Sequence, residues 1–408
     1  MSHNPWPPTL LTLLKQLPRH KKQPPCLQAR FPALIRAYQP DLDDMHIVKV
    51  AGTNGKGSTC AMLAACLNHK QGIGLFTSPH LVSPCERFRL HGKQVSFDDL
   101  EAASQRVATF LADQAPLGLV PTFFEVLILM ALDLFRSGGV RLAIFEAGVG
   151  GYNDSVHLLP GDLAAVTTVG LDHMDRLGNT AAAIARDKAG ICPAGGTLVL
   201  GPGLTPSVRQ TIRRETQPRG ITLIDAATTD LGAVAHQIPF AGAHQRDNAK
   251  TALCLAQLIA KRHQIPCFPG DVANATLGGR LESRRFEGRS LLLDVAHNPA
   301  ALEVLRGYLD AWIPYEQRFL VYGAAEDKDY QACLTHLRDL APRGFLVGGF
   351  YRAAAPTDLA RALPDNFQPR ATPAAALGDL PKHDPTTVVV CGSVFLVGAV
   401  SEHLSTSG

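Results

Sequence analysis

Residues Gly52-Thr53-Asn54-Gly55-Lys56-Gly57-Ser58-Thr59 lie between an apolar run at 46–51 (HIVKVA) and a helix-periodic stretch at 58–69. A strand, a glycine turn and a helix in that order open a layered α/β architecture, because a strand pairs in parallel with a later one only after a crossover. The turn also has its own chemistry. Small residues let backbone N–H groups close around phosphate oxygens, the start of the helix adds a favourable dipole, Lys56 brings a mobile positive charge, and a hydroxyl behind it can reach Mg²⁺. A nucleoside triphosphate is held in this way. The segment departs from the strict G-x-x-x-x-G-K-[ST] spacing, with Val50 where the first glycine belongs and Gly57 ahead of Ser58. A glycine turn that only caps a helix is the plainer alternative; the lysine and the hydroxyls favour the phosphate site.

Apolar runs recur at 73–77, 142–145, 163–169, 197–200 and 221–224, alternating with helical patterns at 97–113, 122–135 and 181–191. That alternation predicts an α/β fold with a phosphate-loop-type, mostly parallel sheet and helices on both faces. The pattern restarts after 278–287 with a strand at 290–295, a helix opened by Pro299, and strands near 319–322, 344–347 and 387–391. A single core stops growing at roughly 250–300 residues. For a chain of 408 we therefore expect two domains, an ATP-binding one over 1–280 and a smaller Rossmann-like α/β domain over 281–408.

Polar groups gather where these strands end. Glu146 closes the strand VRLAIFE ahead of Gly148, Gly150 and Gly151, placing a carboxylate at the carboxyl edge of the sheet, where a hard Mg²⁺ wants an oxygen. Asp172 and His173 close another strand, and His173 by itself reads as a hydrogen-bonded structural histidine as readily as a ligand. Lys188 falls at a helix end, where basic residues complement the dipole, so physics alone gives it a structural part. Asp294, His297 and Asn298 follow a strand and precede a helix begun by Pro299, where capping and function are equally open.

Lys plus Arg number 39 and Asp plus Glu 36, and a net charge of +3 is too small to make nucleic acid or an anionic membrane the main partner. The nine cysteines are scattered and contain no C-x-x-C pair, which reads as thiols in a reducing compartment and not as a disulfide framework or zinc site. Residues 1–25 hold no apolar core of signal-peptide length before a cleavage site. The most apolar stretch, 123–135, is interrupted by Glu125 and Asp133 and falls short of the ~20 residues of a membrane span. The expected location is the cytoplasm.

Taken together, the segments resemble the folylpolyglutamate synthase/dihydrofolate synthase branch of the Mur ligase family. The matches are GTNGKGST at 52–59, SPHL at 78–81 with Glu86-Arg87-Phe88-Arg89 after it, PTFFE at 121–125 and EAGVGG at 146–151. They continue with GLDHMDRLGNT at 170–180, ARDKAGI at 185–191, HQRDNA at 244–249, GRLE at 279–282, DVAHNP at 294–299, EDKD at 326–329 and CGS at 391–393. They run in order along nearly the whole chain.

The resemblance implies an ATP-dependent amide ligase that phosphorylates a substrate carboxylate and lets the amine of L-glutamate displace phosphate, with a pteroate or folate as the acid. By motif position Lys56 holds the β- and γ-phosphates, and Ser58, Ser78 and Glu146 form a first Mg²⁺ site. His173 takes a second Mg²⁺, and Lys188 matches a lysine that members carry as a carbamate. Asn248 and Arg280 contact the nucleotide, Asp294 its ribose, and His297 lies near the γ-phosphate. Phe124 matches a pterin-stacking position, while Arg352 and Ser393 help to receive glutamate. A monomer is implied as well.

Substrate recognition is where the chain departs from the pattern. Members read G-G-R-x-D-A-T-N after the metal glutamate, whereas residues 150–157 here are Gly-Gly-Tyr-Asn-Asp-Ser-Val-His. Asp154 is kept, but Tyr152 replaces an arginine and removes a fixed positive charge and bidentate donor. A ligase acting on a different carboxylic acid is the alternative this supports. A nucleotide-binding regulator without ligase activity is a third reading, opposed by the retention of Lys56, Glu146, His173 and Lys188.

Overall fold

The computed structural model describes residues 6–17, 25–39, 42–67, 72–115, 119–326, 328–363, 365–381 and 386–406. Asp327 of the EDKD segment, the Cys26 side chain, positions 68–69 of the expected helix and much of the stretch 1–25 lie outside the described residues. The chain divides into two compact units, Met1–Pro239 with Arg246–Thr276, and Phe240–Gln245 with Leu277–Gly408.

In the first unit the inner parallel strands are short, apolar and buried, as strands covered on both faces must be, whereas the outer strands are half-exposed or exposed. They are β1 (His46–Ala51), β2 (Ile73–Phe76), β3 (Phe88–Leu90), β4 (Lys93–Gln94), β5 (Leu142–Glu146), β6 (Leu163–Val166), β7 (Thr197–Leu200) and β8 (Thr222–Asp225), in the order β4-β3-β2-β5-β1-β6-β7-β8. Pairing is parallel from β2 through β8, while β3 and β4 add an antiparallel edge that the sequence pattern does not announce. The reason is local: a tight turn through His91 and Gly92, both at positive φ, folds a three-residue strand back on a two-residue one. Lys49, the one charge inside β1, is buried and donates from Nζ to the Leu159 carbonyl at 3.1 Å.

The helix Phe123–Ser137 is buried along nearly its whole length. Thr122 and Glu125 start it with a reciprocal capping box, so PTFFE is in part a helix-start signal. Its interior Asp133 is satisfied by the Tyr38 hydroxyl at 2.7 Å and by a two-point contact from Arg106. Among the described residues no helix is long and apolar enough to cross a membrane, and the eight described cysteines are free.

The second unit holds a six-stranded sheet ordered β13-β12-β11-β14-β10-β9, built from β9 (Glu282–Phe286), β10 (Arg289–Leu293), β11 (Arg318–Tyr322), β12 (Gly344–Val347), β13 (Phe367–Arg370) and β14 (Thr387–Cys391). It is parallel except for β9, which turns back on β10 through positive-φ Glu287 and Gly288. The sequence pattern shows β9 only as the lead-in to the restart at 290 and does not reveal β13, whose Pro369 and exposed residues suit an edge strand. The protein is thus an α/β chain with two mostly parallel sheets.

Candidate active site

The turn 52–55 leaves β1 and is bolted to the end of β6. Thr53 N donates to Thr168 O at 2.8 Å and Asn54 N to Thr168 Oγ1 at 2.9 Å, while Thr167 Oγ1 donates to Asn54 O at 2.7 Å. The Thr53 hydroxyl accepts from Gly170 N at 3.0 Å and donates to Gly170 O at 3.2 Å. Thr53 and Asn54 therefore shape the loop with the groups that the sequence reading offers to phosphate. Glycine is required at 52, where a Cβ would strike the Thr167 hydroxyl, and at 55, which adopts φ +84° and would strike the Asn248 amide. Gly55 is also the N-cap residue, which starts the helix Lys56–Cys66 two residues ahead of the expected 58.

What the turn leaves open is as informative as what it closes. First-turn N–H groups of a helix have no intrahelical acceptor. The Ser58 and Thr59 hydroxyls, 1% and 0% exposed, have no hydrogen-bond partner. Lys56 Nζ rests on the carbonyls of Gly52 at 3.1 Å and Thr53 at 3.4 Å. Buried polar atoms are almost always satisfied, so two orphaned hydroxyls behind a lysine mark a place for a polyanion and a hard cation.

Glu146 ends β5 in register with Val50, two residues before the turn begins. It is buried, and its Oε2 accepts from Ser78 N at 3.0 Å. The loop that carries Ser78 is shaped by Glu86, whose carboxylate accepts from the backbone N–H of Leu81, Val82 and Ser83 at 2.7–2.8 Å. Among the described residues no three His, Cys, Asp or Glu side chains are grouped to hold a metal alone. This suits Mg²⁺, which takes one or two protein oxygens and completes its shell with phosphate and water. Ser58, Ser78 and Glu146 supply donors of that kind.

Lys188 is 2% exposed. Burial, and then the nearby Lys56 charge, lower its pKa to about 7 against the partial opposition of Asp187, Asp172 and Asp154. His173 stands at φ +51° as N-cap residue of the short helix Met174–Leu177, with its N–H on Asp172 Oδ1 at 2.8 Å. Lys188 thus lies near enough to Lys56 to feel its charge, and Glu146 ends the strand next to β1 with the Ser78 N–H upon it.

The altered segment is tied to its surroundings by most of its polar groups, while His157 Nδ1 is buried without a partner. Asp154 is buried, accepts from Val149 N at 2.8 Å and Val156 N at 3.0 Å, and has its pKa raised to about 6 by burial. Asp187, which the sequence does not single out, accepts from Gly151 N, Asn153 N and Asn153 Nδ2 at 2.7, 3.2 and 2.6 Å. Ser155 Oγ donates to Glu125 at 3.0 Å. Tyr152 stays 51% exposed, with its ring 5.1 Å from His157. Phe124 lies against Phe76, and its ring edge approaches Gly148 closely.

The remaining expected residues belong to the second unit. Half-buried Asp294 accepts from Leu281 N and Ala296 N, both at 2.9 Å; desolvation raises its pKa and Arg280 opposes the shift. Arg280 Nη1 donates to Gly279 O at 3.1 Å. His297 donates from Nδ1 to Val295 O at 2.8 Å. Asn298 caps the helix Pro299–Trp312. Arg352 is held at φ +58°, a strained value for a side-chain-bearing residue, by bonds that pin both of its flanks: its carbonyl accepts from Glu326 N, and Ala353 bridges to Ala325. Ser393 is buried, and its Oγ accepts from Phe395 N at 3.2 Å.

No family model matches the chain. A probable bifunctional folylpolyglutamate synthase/dihydropteroate synthase of Haloferax volcanii is 34% identical over 336 residues, covering 75% of this chain and 40% of that protein. The chain thus spans less than half the length of that relative and of its Halobacterium salinarum counterpart, 40% and 38%. The dihydrofolate synthase/folylpolyglutamate synthase of Escherichia coli is 33% identical over 377 residues, covering 87% of this chain and 86% of the relative. Among solved structures, Escherichia coli FolC in complex with DHPP and ADP superposes with a TM-score of 0.81 at 28% identity, covering 98% of both chains. A Yersinia pestis folylpolyglutamate synthase/dihydrofolate synthase complexed with AMPPNP and Mn ion gives 0.80 at 27%, covering 97% of this chain and 98% of that one.

Proposed function

The chain belongs to the dihydrofolate synthase/folylpolyglutamate synthase family of ATP-dependent ligases, and on that footing we propose that it joins the amine of L-glutamate to the carboxylate of dihydropteroate or of a reduced folate through an acyl phosphate. The observation that carries this reading is the pair of buried, partnerless hydroxyls of Ser58 and Thr59 behind Lys56. ATP supplies the activating phosphoryl group, and Mg²⁺ offsets the charge of the phosphate oxygens.

A substrate carboxylate oxygen attacks the γ-phosphorus and ADP leaves; the glutamate nitrogen then attacks the acyl carbon, and phosphate leaves with that oxygen. Charge gathers on oxygen in both steps, so positioning and electrostatics dominate. Lys56 and the first-turn N–H groups hold the phosphates. Ser58, Ser78 and Glu146 hold one cation, and His173 and a carbamate on Lys188 a second. A pKa near 7 supports that carbamate, because CO₂ adds to the neutral amine with loss of one proton. Asn248, Arg280 and Asp294 bind the nucleoside, His297 lies at the γ-phosphate, and Arg352 and Ser393 receive glutamate. Phe124 stacks on the pterin, and Asp154 serves the acid site by shaping its loop. The proposed enzyme is a cytoplasmic monomer.

Incubation with Mg²⁺, ATP and L-glutamate, with dihydropteroate in one tube and tetrahydrofolate in another, is expected to give glutamyl adducts by mass spectrometry. Product in the first tube establishes dihydrofolate synthase, and product in the second adds chain extension. Exposed Tyr152 in place of arginine favours one second reading, a different acid substrate. Intact ATP binding with no adduct in either tube would support it.

A further inference from the structure

Trp6, His80, Arg87 and Phe123 form one contiguous group in the first unit that the phosphate loop and the carboxylate–lysine cluster do not use. The Trp6 ring meets His80 edge-on at 5.0 Å and Phe123 at 5.5 Å, and the Arg87 guanidinium lies 5.4 Å over the same indole. Arg87 is only 6% exposed, and its Nε donates to His80 Nδ1 at 2.9 Å. A guanidinium has no acceptor to offer and keeps its protons. That bond therefore fixes the imidazole tautomer: Nδ1 holds the lone pair and Nε2 holds the proton.

Three features set this group apart from a packing staple. Phe123 remains 36% exposed although the Trp6 ring meets it, and Trp6 is only half-buried. His80 presents a fixed, neutral N–H donor two residues from Ser78, whose own N–H is on Glu146. Phe123 is the immediate neighbour of Phe124, beside the 148–155 loop. An aromatic floor with one oriented donor fits a planar heteroaromatic ring, which binds through its faces and through in-plane heteroatoms.

We propose that Trp6, Phe123 and His80 form a wall of the acid-substrate site, the two aromatic rings packing on the substrate's planar ring system and His80 Nε2–H donating to one of its acceptor atoms. Arg87 is the positioning residue that sets the His80 tautomer. The inference rests on the reading that the acid is of the pteroate type, and it makes the segment before the first helix a specificity element.

Trp312→Phe leaves Trp6 as the sole tryptophan, since the chain has two. In that background, dihydropteroate is expected to shift or quench Trp6 emission saturably, at matched absorbance, while glutamate does not. Trp6→Ala and His80→Phe are each expected to raise KM for dihydropteroate about tenfold, with KM for ATP and kcat within about twofold, the size of one lost hydrogen bond or ring contact. His80→Gln should recover most of the loss, because its amide accepts from Arg87 and donates onward; His80→Phe keeps a ring in place should Trp6→Ala not fold. Unchanged KM for the acid in folded variants, or Trp6 emission indifferent to the acid, overturns the inference while leaving the ligase reading intact. A wild-type protein that glutamylates no pteroate or folate overturns both.

Discussion

The phosphate turn and the 150–157 segment are both glycine-marked loops at the carboxyl edge of one sheet, yet they treat their polar groups in opposite ways. Around residues 52–59 the backbone is tied down by Thr167, Thr168 and Gly170, while the Ser58 and Thr59 hydroxyls are left without partners. In 150–157 the side chains of Asn153, Asp154 and Ser155 are all bonded within the protein. A loop that leaves buried donors orphaned is built to receive charge from outside, because a lone buried polar group costs about 1–3 kcal/mol until something binds it. A loop whose polar side chains are mostly bonded within the protein, with His157 Nδ1 its one buried exception, holds a shape. The first carries chemistry and the second sets what fits beside it, so the phosphate-transfer machinery and the acid specificity should respond separately to mutation.

Lys188 offers the largest test. Lys188→Ala and Lys56→Ala should each cost about a thousandfold in turnover, with ATP affinity falling much less; normal turnover in Lys188→Ala would remove the carbamate. Stability should move the other way. The folded protein holds Lys188 near pKa 7 against the ordinary 10.5 and so favours the neutral amine. The penalty is absent above pH 10.5, grows as pH falls towards 7, and is constant below. In CO₂-free buffer Lys188→Met should therefore be more stable than wild type by several kcal/mol at pH 7 and show no gain at pH 11, as chemical denaturation at the two pH values would reveal.

Asp154→Ala would strip partners from the Val149 and Val156 N–H groups. A loss of about 2–4 kcal/mol is expected from two unsatisfied donors, with KM for the acid rising and KM for ATP little changed. Equal rises in both would erase the distinction between the loops. Gly55→Ala sets a side chain at φ +84° against Asn248; it should cost about 1–3 kcal/mol of strain and weaken nucleotide binding, measured by thermal melts with and without ADP. Tyr152→Arg should be the mildest. It restores a cation at an exposed position, and a shift of about threefold in kcat/KM towards acids bearing extra carboxylates is the scale of one exposed charge pair.

Much of this is legible in the sequence. Strands 46–51, 197–200, 344–347 and 387–391 match β1, β7, β12 and β14 to the residue, because continuous buried apolar runs bounded by turn residues are the clearest strand signal. The short antiparallel strands β3, β4 and β9 and the parallel edge strand β13 are not, since a strand of two to five half-exposed residues lacks a pattern of its own. Lys188 shows the limit most clearly. Its position near a helix end reads as dipole compensation, and only the tertiary fold reveals that the side chain is buried beside Lys56. The parts played by Glu86 and Asp187 are equally hidden, because each works by collecting backbone N–H groups, three in succession for Glu86 and two from a loop about 35 residues away for Asp187.

The central claim, that the orphaned donors of the phosphate turn serve acyl-phosphate formation, is tested most directly by isotope transfer. Dihydropteroate labelled with ¹⁸O in its carboxylate is incubated with the protein, Mg²⁺, ATP and L-glutamate, and the released phosphate is weighed by mass spectrometry. Transfer of one ¹⁸O to each phosphate, matched by one glutamyl adduct, is the predicted result. Unlabelled phosphate released without adduct would show an ATPase and contradict the account.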